Sequence, residues 1–272
     1  MNIAVLDFET NGCASSSVLS ASSIVFDEAG HIIDIFNRFY LPVEPFSHYL
    51  TRIHGLTPER LLAVRGALSA GYSPYFIEDW PDLAAFWDHW DIAGVVIHNA
   101  RFDMAFLPEV VQNSTPCWCS MRGLTSLCAL PKKKGSRGRG GFKWPRLSEA
   151  VDVLCSGPAA LTPPEAVRCA EEKVADCQAH VSLADCFSLY RIVARILVHY
   201  PRLMRFKPLT LGFRTPPLPA GPLGINVSPR QDAFTRALLD LDQRLRGCLA
   251  VPSCKIIDET GGKDRTWAES WA

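Results

Sequence analysis

The sequence predicts an α/β fold with elements in the order β-β-β-α-β-α-β-α. Three observations predict it. Residues 2–8 are a short apolar run of β-branched and aromatic residues that Gly12 ends, the pattern of a buried strand. Residues 24–26 and 32–40 are β-rich runs around Asp27-Glu28-Ala29-Gly30, a hairpin signal that pairs them antiparallel. Residues 94–99 are a further short apolar run, and a helical pattern starts directly after it.

Composition bounds the answer. A chain of 272 residues holds one sizeable domain and a smaller appendage. Apolar residues at 48% and charged residues at 21% fit a soluble globular protein with a real core. The net charge is zero, so no global field recommends nucleic acid. No apolar run approaches the roughly 18 to 20 residues of a membrane span, so no membrane partner is expected. The sequence opens directly in a strand, with no basic n-region of a signal peptide. Ten cysteines, among them Cys155, Cys169, Cys177 and Cys186 in apolar contexts, read as reduced thiols of a cytoplasmic protein. Cys117-Trp118-Cys119 reads as structural, because no second Cys or His pair stands at zinc spacing.

Each element has its own signal. A Ser-rich piece, residues 13–23, follows the first strand. Thr57 is an N-cap, with Pro58 at the first helical position and Glu59 in the first turn, and the helix runs to about residue 65. Leu83, Phe86, Trp87 and Trp90 give a helix over 80–90. A helix starting near residue 100 continues toward 111. Residues 117–121 are one more strand, and 124–130 a helix. Residues 131–146 carry seven basic residues, four glycines and no acid, with Phe142 and Trp144 among the charges. Such a loop either contacts phosphates and stacks on unpaired bases or is simply solvated.

Residues 147–155 form a helix, and 157–177 look like an insertion with a helix from Pro164 onward. Ser182 caps the last strong helix, with Asp185 three residues later and a stripe of Leu183, Phe187, Tyr190, Val193, Ala194 and Leu197. The domain then ends near residue 200. Residues 201–230 are a proline-rich linker or strap. Residues 231–272 hold an amphipathic helix over 231–248, with Phe234, Leu238, Leu241 and Leu245 on one face, and a tail, 260–272, that looks disordered. That helix is a candidate docking or dimerisation element, or packs on its own domain.

The candidate chemistry starts at Asp7 and Glu9. Two residues apart on a strand, they point to one face. Burying carboxylates side by side is costly, and a hard divalent cation such as Mg²⁺ or Mn²⁺ resolves the cost. Asp103 stands just past a strand end, in the first turn of a helix. His180 falls in the loop before the helix that carries Asp185.

The contexts Asp7-Phe8-Glu9-Thr10-Asn11-Gly12, His98-Asn99-Ala100-Arg101-Phe102-Asp103 and His180-Val181-Ser182-Leu183-Ala184-Asp185 resemble the three motifs of the DEDDh family of 3′-5′ exonucleases. That family includes the proofreading epsilon subunit of bacterial DNA polymerase III and ribonuclease T. Ile53-His54-Gly55-Leu56-Thr57 is similar to a further family segment. The resemblance covers about residues 1–200. Ser20-Ala21-Ser22-Ser23 departs from it, standing where the family has a more apolar strand. The span from Asp103 to His180 is also long, and nothing after 200 has a counterpart.

The resemblance implies an RNase H-like mixed sheet of three antiparallel and then two parallel strands, with helices on both faces. It implies two Mg²⁺ or Mn²⁺ ions per site, about 3.5 to 4 Å apart. Asp7 is then the bridging ligand. Glu9 and Asp185 complete the ion that holds the attacking water, Asp103 acts on the second ion, and His180 is the general base. Phe8, Thr10, Leu56, His98, Asn99, Phe102, Lys143 and Trp144 form the candidate substrate-contacting set. Phe8, Leu56 and Phe102 would wedge or stack against terminal nucleotides, whereas His98 and Asn99 also read as supports of the strand end. The implied reaction releases nucleoside 5′-monophosphates from a free 3′ end, of single-stranded or frayed DNA first. The alternatives are RNA 3′-end trimming, or a nuclease-fold module tethered by 231–248 to a polymerase, another assembly or a second copy of itself.

Overall fold

The computed structural model describes residues 1–13, 16–132, 137–139, 141–175, 181–218 and 227–250. Strands β1 (Asn2–Thr10), β2 (Val18–Phe26) and β3 (Ile32–Phe39) pair antiparallel, with β2 between the other two. Gly30 takes a φ of 88° in the turn before β3, a conformation that suits a residue without Cβ. Helices α1 (His48–His54), α2 (Pro58–Ala67) and α3 (Phe76–His89) follow. Thr57 caps α2 by accepting from the Arg60 N–H at 3.3 Å, with Pro58 at the first position.

Strand β4 (Ile92–Ile97) then runs parallel to β1. After it come α4 (Ala100–Asp103), a 3₁₀ turn (Met104–Phe106) and α5 (Glu109–Ser114). Strand β5 (Cys117–Cys119) pairs parallel with β4 and completes a five-stranded sheet in the order β3-β2-β1-β4-β5. The expected mixed sheet, three antiparallel strands and then two parallel ones, is the architecture of the chain. Short helices α6 (Ser120–Gly123) and α7 (Thr125–Cys128) lead to a two-residue ladder of β6 (Gly138–Arg139) and β7 (Phe142–Lys143). Helix α8 (Leu147–Val151) ends in a π turn (Asp152–Ser156), and α9 (Glu165–Val174), α10 (Ser182–His199) and α11 (Ala233–Arg246) complete the order.

Strand alternation divides the core. Ile3 and Val5 of β1 pack with Leu183, Tyr190 and Val193 of α10 on one face. Ala4, Leu6 and Phe8 pack with Phe76, Leu83 and Trp87 of α3 on the other. Period two therefore puts Asp7 and Glu9 on the α10 face, the side from which Asp185 comes.

Several expectations are corrected. The Ser-rich piece is mostly strand: β2 starts at Val18 and is buried along its whole length. Its hydroxyls are all partnered, which is what lets polar residues occupy a buried strand. Ser23 Oγ donates to the Val5 carbonyl (2.8 Å) and accepts from Trp87 Nε1 (3.0 Å). Ser20 and Ser22 both meet Ser182, so Ser182 is no cap. It is the first helical residue, and the cap position falls to Val181. The helix expected from 100 toward 111 breaks at Leu107, because Pro108 has no N–H and disfavours helix in the residue before it. The strand at 117–121 stops at Cys119. The helix at 124–130 is cut short where Ala129 takes a φ of 48°.

Described residues of the proline-rich region hydrogen-bond to β5, α5 and the 3₁₀ turn. Lys207 and Cys117 exchange both backbone hydrogen bonds (2.8 and 3.0 Å) at the β5 edge. Leu211 N–H donates to Gln112, and Arg214 N–H to the Ala105 carbonyl. The face of α11 offered to a partner is used internally: Leu238, Leu241 and Leu245 are buried in the α10-side core. The described cysteines are free thiols, and no described helix is long and apolar enough to cross a membrane. His180, Cys177, residues 133–136 and 140 of the basic loop, Pro219, Pro222 and the tail at 260–272 lie outside the described residues.

Candidate active site

The carboxyl ends of β1 and β4 meet at one edge, where Leu6 pairs with Ile97. Parallel strands deliver ligand-binding residues at that edge. Asp7 and Glu9 occupy the last turn of the pleat on β1. After β4 the chain reverses at Asn99, whose φ of 70° is one that asparagine tolerates well. That reversal starts α4 and sets Asp103, 2% exposed, behind β1, where its Oδ1 accepts the Phe8 backbone N–H at 3.2 Å. Asp185 stands in the first turn of α10, which lies across β1 and β2.

Asp7, Glu9 and Asp185 each offer one carboxylate oxygen, and these atoms lie within 4.8 Å of one another. Among the described residues, the charged neighbours that act on Asp7 and Glu9 are acids. Burial first, and then repulsion from Asp103, Asp185 and Glu9, hold the Asp7 carboxyl well above the usual range. Burial and then Asp185 and Asp103 push Glu9 up to about 8. Burial raises Asp103 to about 8 as well, against the lowering effect of the Phe8 N–H. Converging carboxylate oxygens, raised in pKa by burial and by one another, are the donor set that a hard divalent ion takes. The residues present fit such an ion.

The sequence-nominated contact residues separate into two groups. Phe8 cannot stack on a nucleotide here. It is 4% exposed, on the face opposite Asp7, edge-on to Phe76 at 5.1 Å between ring centroids. Leu56 is fully buried in the α10-side core and has no surface to offer. Thr10 is buried, with its hydroxyl on the Gly12 carbonyl at 2.8 Å. His98 is a support. Its Nε2 lies 3.1 Å from the Pro145 carbonyl and its Nδ1 2.9 Å from Ser120 Oγ. Burial pushes its pKa down to about 4, so it is neutral, donating from Nε2 and accepting at Nδ1. Asn99 is exposed, and Phe102 is half-buried beside Phe106.

Lys143 and Trp144 stand at a separate wall. Lys143 pairs with Glu149, and the Arg122 guanidinium sits 5.1 Å over the Trp144 ring. A cavity of about 420 Å³ opens between His98, Met121, Arg137, Trp144 and Arg146. His98 directly follows Ile97, and Asp7 follows its partner Leu6. One lining residue of the cavity, His98, thus stands at the end of the strand beside β1.

No family model and no curated protein matches the chain. Among solved structures the chain is similar to several exonucleases. One is "Exonuclease X in complex with 5′ overhanging duplex DNA", at 16% identity and a TM-score of 0.42, over 73% of this chain and 93% of that one. Another is the zinc-bound E. coli Exonuclease I–ssDNA complex, at 16% identity and 0.45, over 74% and 42%. A third is a moderately thermophilic Exonuclease I from Methylocaldum szegediense, at 16% identity and 0.39, over 74% and 41%. The chain thus spans about two fifths of the Exonuclease I chains.

Ser20 and Ser22 pair with Glu9 and Asp7 and meet Ser182, a placement beside the acids that the sequence reading does not include. Their signal was present: serines at 20 and 22 repeat the spacing of the acids at 7 and 9.

Proposed function

We propose that the chain is a metal-dependent 3′-5′ exonuclease that hydrolyses phosphodiester bonds at a free 3′ end, acting first on single-stranded or frayed DNA. The observation that carries this reading is the convergence of Asp7, Glu9 and Asp185 on one point, with one oxygen of each within 4.8 Å of the others. In this reading Asp7, Glu9 and Asp185 hold one Mg²⁺ or Mn²⁺ ion, and Asp7 and Asp103 serve a second. The ions supply charge relief at the phosphate and a lowered pKa for the attacking water.

The chain's own groups do the rest. His180, five residues before Asp185, takes the proton of the water; an imidazole pKa near about 6.5 suits that role at neutral pH. The Phe8 N–H orients Asp103. The Arg137, Arg146 and Trp144 side of the cavity supplies cations and a ring to the strand behind its 3′ end. Phe102 contacts the terminal nucleotide.

The test is a gel time course on 3′- and 5′-labelled single-stranded DNA, duplex DNA and RNA, with Mg²⁺, Mn²⁺ or EDTA, beside Asp7→Ala. The expected result is a metal-dependent ladder shortening from the 3′ end and absent from the variant. Cleavage that persists in EDTA or in Asp7→Ala overturns the reading. The same gel ranks DNA against RNA.

A further inference from the structure

We propose that Ser182, seated on Ser20 and Ser22, is the positioning residue that fixes Asp185 against Asp7 and Glu9. The proposal rests on the reading of these acids as a metal site. It starts from register: Asp7 pairs with Ser22, and Glu9 with Ser20, across the β1–β2 ladder. Directly paired residues of antiparallel strands share a face, with Cβ atoms about 4.5 to 5.5 Å apart. Two acids and two serines therefore form a square on the α10 side of the sheet. Ser182 Oγ lies 2.5 Å from Ser20 Oγ and 2.7 Å from Ser22 Oγ. Asp185 follows three residues later, on the same side of the helix. Whatever holds Ser182 to the serines holds Asp185 to the acids.

The hydroxyl protons admit one consistent arrangement. Ser22 Oγ donates to Asn37 Oδ1 at 2.9 Å, so its own oxygen is free to accept. Ser182 then donates to Ser22, and Ser20 donates to Ser182. The chain continues outward, because Asn37 Nδ2 donates to Asp242 Oδ1 at 2.9 Å and Arg246 Nε to Asp242 Oδ2 at 2.9 Å. Each hydroxyl spends its single proton in one direction, which makes a fully satisfied buried network and pins α10 and α11 to the sheet together. The three serines are 0% exposed, so water cannot replace a lost partner. Alanine at 182 leaves Ser20 without an acceptor and Ser22 without a donor, and frees the first turn of α10 to move. The serines that depart from the family's apolar strand thus have a role tied to the acids facing them.

The test separates position from stability. Mn²⁺ affinity is measured by calorimetric titration of metal-free protein, beside melting temperature, for Ser182→Ala, Ser20→Ala and the double variant Ser20→Ala/Ser182→Ala. The double variant leaves Ser22 donating to Asn37 Oδ1, strands no hydroxyl proton, and is expected to melt near the wild type. Its Mn²⁺ affinity is expected to stay about tenfold down, the lower end for residues that orient metal ligands. On oligonucleotide, kcat is expected to fall with KM unchanged. Mn²⁺ affinity that recovers with melting temperature, or never falls, overturns the proposal and leaves the nuclease reading intact. A wild-type protein that binds no Mn²⁺ overturns both.

Discussion

The Phe8 backbone N–H donates to Asp103 Oδ1 at 3.2 Å, across 95 residues of sequence. The peptide between Asp7 and Glu9 thus holds the acid that α4 supplies. One strand end orders three of the four carboxylates.

Asp103→Asn keeps this bond, because an amide oxygen also accepts. It removes one charge from the cluster. Activity on labelled single-stranded DNA is expected to fall by about 10² to 10³, the scale on which a preorganised charge-stabilising group acts. In EDTA at pH 9, above the folded pKa of about 8 where the wild-type carboxyl is charged, the variant is expected to melt about 2 to 4 °C above the wild type, because repulsion is relieved. A variant that is both inactive and less stable in EDTA would show that Asp103 serves the fold alone.

The metal-free protein is expected to lose stability as pH rises. Glu9 and Asp103 have folded pKa values of about 8, above their ordinary 4.5 and 3.8. Protonated carboxyls favour the fold, so their contribution is full below the ordinary values and is lost as pH climbs through about 8. Melting curves in EDTA between pH 5 and 9 should slope downward, and saturating Mn²⁺ should flatten them. A flat profile in EDTA contradicts the burial of these acids.

Arg137→Ser and Trp144→Ala probe the cavity wall. If Arg137 meets one phosphate, its loss lowers the salt slope of single-strand binding by about 0.7. Loss of a stacking ring at 144 weakens binding by about 1 to 3 kcal/mol per base. Fluorescence anisotropy of a labelled oligonucleotide at several salt concentrations reads both. Unchanged slope and affinity would mean that this wall only braces Glu149 and Arg122.

Leu241, 1% exposed, sits where α11 meets the core. Leu241→Ala is expected to cost about 2 to 5 kcal/mol in urea unfolding, with the chain remaining one cooperative unit. A truncation after residue 230 that melts like the full chain would return α11 to the role of a free docking arm.

Much of this was legible in the sequence. The apolar run at 2–8 and the hairpin around Gly30 marked the first strands, the resemblance implied the mixed sheet, and the acids at element ends nominated Asp7, Glu9, Asp103 and Asp185, because strand period and chain reversal are local. What local pattern could not show was which partner each side chain would meet. Phe8 and Leu56 looked available for stacking until the two faces of the sheet were filled, and α11 looked like a docking helix until its leucines found α10. The serines at 20, 22 and 182 read as loop and cap, since hydroxyls more than 160 residues apart become one buried network only when β2 and α10 are brought together. The sequence by itself determined the elements and the charges. Only the tertiary structure decided which face each residue took, because burial and hydrogen-bond satisfaction depend on groups distant in the chain.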